Sequence, residues 1–167
     1  MQNREKLMNY FNRLQVKEID MPNKKIKGLY SRNKYIPNGM VLLNNNYDYY
    51  SLNGVLAEEI GHHATSHGNI LDNYSTMQNI MAAKQEVKAR RFGYDLILPL
   101  DKLIECFENG IWDDVYEICL YLEIDRSYFN EIIHDYKLRF GNYVKYNGYT
   151  IEFEPLNIYK KSKGDKK

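Results

Sequence analysis

Leu56-Ala57-Glu58-Glu59-Ile60-Gly61-His62-His63 is the stretch around which the chain is organised. It sets carboxylates and imidazoles one helical turn apart within an apolar pattern. At 100° per residue, a helix over residues 49–66 puts Leu52, Val55, Leu56 and Ile60 on one stripe. Glu59 and His63 fall inside that stripe, and Glu58 and His62 lie together on its flank. A carboxylate in a core-facing stripe is costly unless it is paired, protonated or next to a metal. Gly61 interrupts the helix at a cost of ~1 kcal/mol relative to Ala. Its place opposite the stripe points to close backbone packing.

Downstream, the pattern predicts a second long helix over residues 76–97, after a helix end at His67-Gly68-Asn69 and a loop through Asp72-Asn73-Tyr74-Ser75. Ala82, Glu86, Ala89 and Gly93 form one seam of it, three small residues around a single acid. Small residues let two helix axes come close, so Glu86 projects into a tight contact. Pro99 ends this helix and starts the next.

Upstream, Leu7, Phe11 and Leu14 have helical spacing, which predicts a first helix over residues 4–15. Val16 to Met21, Lys25 to Tyr30 with Tyr35-Ile36, and Met40 to Leu43 read as strands, with turn chemistry at Pro22-Asn23, Ser31-Arg32-Asn33 and Pro37-Asn38-Gly39. The expectation is a small antiparallel sheet of about three strands. Beyond Pro99, helices are expected over residues 99–109, 112–122 and 126–140, with Asp125 or Ser127 as N-cap of the last. Tyr143 to Tyr146 and Tyr149 to Phe153 flank Asn147-Gly148, a tight-turn dipeptide, and predict a hairpin.

Glu58 and His62, at i and i+4, face the same way and can hold one ion. Both residue types bind zinc at about 2.0–2.2 Å. Glu86 on the neighbouring helix can supply a third ligand and leave a position for water. Glu59 then stands beside the ion as general base for attack on a peptide carbonyl. The same residues also fit a plainer arrangement: Glu58 as a surface acid, His62 as a satisfied core histidine, and Glu86 paired with Arg90 one turn on. His63 and His67 form another i, i+4 pair. Their expected roles are a supporting or core residue and a helix-end residue that suits the dipole.

The bulk numbers exclude several classes. A chain of 167 residues is about one domain, and folding buries roughly 70% of the unfolded surface. Hydrophobic residues make up 44% and charged residues 27%, ordinary globular values. The net charge of +1 hides a basic end: five Lys and one Asp in residues 160–167 leave the body at −3. That body charge argues against a dedicated nucleic-acid binder. Residues 113–139 have helix–turn–helix spacing but carry seven acids and three bases, the wrong sign for phosphates. The N-terminus is charged where a signal peptide needs an apolar run, and no stretch approaches the ~20 apolar residues of a membrane span. Cys106 and Cys119 sit in helical patterns and read as buried free thiols.

Leu56 to His63, followed by Gln85-Glu86-Val87-Lys88-Ala89-Arg90-Arg91-Phe92 and Leu96-Ile97-Leu98-Pro99, resembles the ImmA/IrrE family of metallo-endopeptidases. The resemblance covers most of residues 15–140. Members of that family are zincins with a His-Glu-x-x-His helix and a third ligand, Glu, on the next helix. The resemblance implies a cytoplasmic protease, often encoded by phages or integrative elements, whose typical substrate is a helix-turn-helix repressor. By match to the motif, Glu59 is the catalytic acidic residue, and Glu58, His62 and Glu86 occupy the ligand positions. The chain departs from the family at its first ligand, which is Glu58 and not His. Two carboxylates and one imidazole bring about −2 to a dication, where two imidazoles and one carboxylate bring about −1. The centre becomes less electrophilic, and its harder donors shift the balance from Zn2+ toward Mn2+ or another divalent ion.

These observations define an α+β expectation: a zincin-like core with a small antiparallel sheet, two long site helices and a helical C-terminal segment. The expected divisions are a metallopeptidase-like core (1–100), a helix-turn-helix-like segment packed on it (101–141), a hairpin (142–159) and a disordered basic tail (160–167). The expected activity is metal-dependent cleavage of a protein, with Zn2+ as the first choice of ion and a phage or mobile-element repressor as partner. The alternatives are a pseudo-peptidase that binds a regulatory protein without cutting it and, disfavoured by charge, a DNA-binding regulator. Neither direct nucleic-acid contact nor a membrane is expected.

Overall fold

The computed structural model describes residues 3–66 and 76–160. The expected helix end at His67-Gly68-Asn69, the loop at Asp72-Asn73-Tyr74-Ser75 and the tail from residue 161 onward lie outside them, as does His67 itself. The chain divides into two compact units. One is Met1–Ile97 with Leu122–Ile124, and the other is Leu98–Tyr121 with Asp125–Lys167. Their architecture is α+β, the class expected from the pattern.

The first unit opens with α1 (Asn3–Met8), much shorter than the helix expected over residues 4–15. The chain leaves the helix because its aromatics are wanted elsewhere. Phe11 packs edge-on against His63 with ring centroids 4.7 Å apart, and Tyr10 against Phe92 at 6.1 Å. Three strands follow: β1 (Gln15–Ile19), β2 (Gly28–Asn33) and β3 (Ile36–Asn44). Strand directions alternate along the chain, as the short connections dictate, but the spatial order is β1-β3-β2. β3 therefore pairs antiparallel with β2 and parallel with β1, and the sheet is mixed where an antiparallel one was expected. The physical reason lies in burial. β3 is the longest strand and buries Val41, Leu43 and Asn44, so it takes the central place.

α2 (Tyr49–Thr65) comes next, capped by the Asp48 carboxylate, which accepts the Ser51 N–H at 3.0 Å. α3 (Thr76–Ile97) packs along it. α2 is buried on two faces. Val55 meets β2 at Gly28, where an added Cβ would lie 2.4 Å from Val55 Cγ1. On the other face, Ala57 and Gly61 meet Ala89 and Gly93 of α3. Leu52, Leu56 and Ile60 fill the core between. Asn53, 1% exposed, ties the start of α2 to α1 and to residues 122–124. It accepts from Arg4 Nε at 2.7 Å and donates to the Glu123 carbonyl at 2.7 Å.

The second unit holds α4 (Leu100–Glu108), most of α5 (Val115–Leu122) and α6 (Arg126–Phe140). Asp125 caps α6 by accepting the Tyr128 N–H at 2.8 Å. An antiparallel sheet then runs β4 (Tyr143–Tyr146), β5 (Tyr149–Phe153) and β6 (Leu156–Lys160) in that order. Asn147 and Gly148 have φ of 48° and 80°, the left-handed pair that a tight hairpin turn needs. β6 adds a third strand to the expected hairpin. Its one fully buried side chain, Ile158, completes an apolar face with Ile151 and Phe153. Cys106 and Cys119 are buried and unbridged, and burial pushes the Cys106 thiol up to about 11.

Candidate metal centre

Two helix faces meet where Gly61 and Gly93 remove the side chains that would hold them apart. A Cβ on Gly61 would lie 2.0 Å from the Ala89 carbonyl oxygen, and one on Gly93 2.8 Å from that of Ala57. The close approach expected of the small-residue seam is therefore a backbone-to-backbone contact. Gln85 adds a tie at its end, donating to the Thr65 carbonyl at 3.4 Å. Glu58 and His62 project from α2, and Glu86 from α3, on the flank of this contact.

The three side chains converge: one oxygen or nitrogen from each lies within 4.8 Å of the others. His62 Nε2 is 3.5 Å from Glu86 Oε2. All three are half-buried. One imidazole and two carboxylates so placed are a donor set that fits a divalent ion. Among the described residues this is the one such group.

Arg90 shares the cluster. Its Nε is 3.2 Å from Glu86 Oε1 and 3.4 Å from Glu58 Oε1. The plainer arrangement thus coexists with the convergent one: Glu86 pairs with Arg90 through one oxygen and faces His62 with the other. Burial raises the pKa of Glu58, and the charge of Glu86 adds to this, while Arg90 and His62 work the other way.

Glu59 points to the sheet side of α2. A Cβ on Gly28 would be 3.4 Å from Glu59 Oε1, so the carboxylate sits against β2 where the strand has no side chain. Burial drives its pKa up to about 7, and the charges of Glu58 and Glu86 push it the same way. A hydrogen bond from the Tyr30 backbone N–H opposes the shift. A carboxylate poised near neutrality beside a cluster of metal-type donors suits proton transfer.

His63 lies one turn on, on the same sheet side. Its Nδ1 is 2.9 Å from the Tyr30 hydroxyl, and the rings of Phe11 and Tyr30 stand edge-on to it. Gly39, at φ 80°, makes room: a Cβ there would come within 2.8 Å of His63 Nδ1. Burial and the Arg32 charge lower the His63 pKa. The structure therefore brings Glu58, His62 and Glu86 together, turns Glu59 to the sheet side of the same helix, where the charges of Glu58 and Glu86 still reach it, and gives His63 a separate polar partner.

Sequence reasoning had Arg90 only as a neighbour of Glu86. Its second contact, to Glu58, crosses between helices, and the signal for it was the seam at Ala89 and Gly93 that brings α3 against α2. Tyr30 was read only as a strand residue, and nothing in its local pattern marks a partner 33 positions away.

Residues 13–136 match the peptidase family described as the IrrE N-terminal-like domain. The chain belongs to that family, which is one of metallopeptidases, and its α+β fold is of the zincin-like kind. No curated protein and no solved structure matches the chain. No helix among the described residues is long and apolar enough to cross a membrane.

Proposed function

We propose that this chain is a metal-dependent endopeptidase in which Glu58, His62 and Glu86 hold a divalent ion and Glu59 is the general base. The observation that carries this reading is the convergence of three donors within 4.8 Å beside a carboxyl raised to about 7. A bound divalent ion would supply Lewis acidity there, acidifying a water and polarising a carbonyl. Glu59 would serve as the proton carrier, accepting a proton from an attacking water and returning it to the departing amine nitrogen. Burial, the largest cause of its raised pKa, favours the protonated form that the return of the proton needs. β2 is the edge strand against which Glu59 lies, and an extended substrate backbone can add to such an edge.

Resemblance to ImmA/IrrE proteases extends the proposal to the substrate: a helix-turn-helix repressor of a phage or mobile element, cleaved in the cytoplasm. In this reading Glu58 stands where the family carries His. Oxygen-rich donors admit Mn2+ or another divalent ion as well as Zn2+.

A second reading is favoured by Arg90, whose positive charge already lies on two of the three donors. In it the chain is a pseudo-peptidase that binds a regulatory protein without cutting it. Metal analysis of the purified protein, with cleavage of a candidate helix-turn-helix repressor by wild type and Glu59→Gln, separates the two. Bound metal and cleavage that Glu59→Gln abolishes support the protease. Stable repressor binding without metal or cleavage supports the scaffold.

A further inference from the structure

Glu58 departs from a two-imidazole site, and Arg90 lies against it. Arg90 Nε lies 3.4 Å from Glu58 Oε1 and 3.2 Å from Glu86 Oε1, while Glu86 Oε2 faces His62 Nε2 at 3.5 Å. Arg90 therefore bridges the two carboxylates from α3 and leaves the other oxygen of Glu86 directed to the imidazole.

The geometry points to Arg90 as the charge partner of Glu58, a positioning residue that sets how tightly the Glu58-His62-Glu86 cluster takes a divalent ion. The inference rests on the metal-centre reading above. Two carboxylates bring about −2 to a dication, and the guanidinium offsets one of those charges. The donor set then presents about −1, the same sum as two imidazoles and one carboxylate. Arg suits this role better than Lys because it stays charged at every working pH and offers several donors in a fixed plane. The side chain is 52% exposed, so its removal opens no cavity.

Two consequences follow. A positive charge this close to both carboxylates opposes a second positive charge in the same cluster, so Arg90 weakens ion binding. Part of that opposition is competition for the Glu58 carboxylate, whose Oε1 lies 3.4 Å from Arg90 Nε, and Glu58→His removes that part.

The test is a double-mutant cycle read by calorimetric titration of Zn2+ and of Mn2+ into the metal-stripped full chain, which needs no substrate. Arg90→Gln tightens binding by about tenfold in the Glu58 chain and by about threefold or less in Glu58→His. Arg90→Lys, which keeps the charge, stays within about threefold of wild type. Equal or weaker binding by Arg90→Gln overturns the inference while the metal centre stands. An equal gain in both backgrounds overturns the pairing with Glu58. Absence of binding in all five chains removes the metal centre and this inference together.

Discussion

Gly61 and Ala89 touch through their backbones, with 2.0 Å between the position of a Cβ on Gly61 and the Ala89 carbonyl oxygen. A methyl group there cannot be absorbed by rotating a side chain, because what it meets is the peptide itself. α2 and α3 would have to separate. Gly61→Ala should therefore destabilise the fold by about 2 kcal/mol or more, although Ala is the better helix former by ~1 kcal/mol. Urea unfolding measures this, and a variant more stable than wild type would refute the contact.

Glu59 gives a pH signature in the metal-free protein. Its pKa is about 7 in the folded chain against an ordinary 4.5. The folded state then holds a proton that the unfolded state has released between those values. Stability contributed through this group falls as pH rises from about 4.5 to about 7 and is level above. Glu59→Gln should flatten that fall when unfolding is followed at several pH values in the presence of a chelator. The same variant should lose about 10²–10⁴-fold in peptidase rate, the usual worth of a positioned general base.

Metal should stabilise the fold through mass action. Saturating Zn2+ at about 100 times its dissociation constant is expected to add about 2.7 kcal/mol, seen as a raised melting temperature that a chelator reverses. Glu86→Gln should abolish the response. Glu58→His should strengthen zinc binding, and unchanged affinity would count against Glu58 as a ligand.

Cys106 and Cys119 should resist alkylation. Burial is the largest influence on both, and it holds each thiol above its usual value, Cys106 at about 11. Reaction needs the thiolate. Labelling with iodoacetamide at neutral pH should be slow in the native protein and proceed at both sites in urea. Rapid native labelling of Cys106 would contradict its burial.

Much of the candidate centre was legible because helical arithmetic is local. The i, i+4 spacing of Glu58 and His62 and the small residues around Glu86 follow from one helix at a time, and the structure brings those three side chains together. What the sequence could not give was set by contacts between elements. The length of α1 depends on where Phe11 and Tyr10 find partners, and His63 and Phe92 are distant in the chain. The mixed sheet depends on which strand takes the centre, a choice made by burial and not by any turn. β6 was hidden because its alternation is weak: only Ile158 is deeply buried, and the strand runs into a lysine-rich end. Gly61 pointed to close backbone packing, but its partner, Ala89, belongs to another helix and has no local signal.

The two faces of α2 also separate what can be lost from what can be kept. Glu58 and His62 look toward α3, while Val55, Glu59 and His63 look toward the sheet. Replacing Glu58 or His62 can thus alter or silence ion capture while the residues facing β2 stay in place, whereas Gly61, on the same face, is held to its identity by the Ala89 backbone. Ion capture and strand-side contact are therefore separable properties of one helix, and a variant can lose the first while it keeps the second.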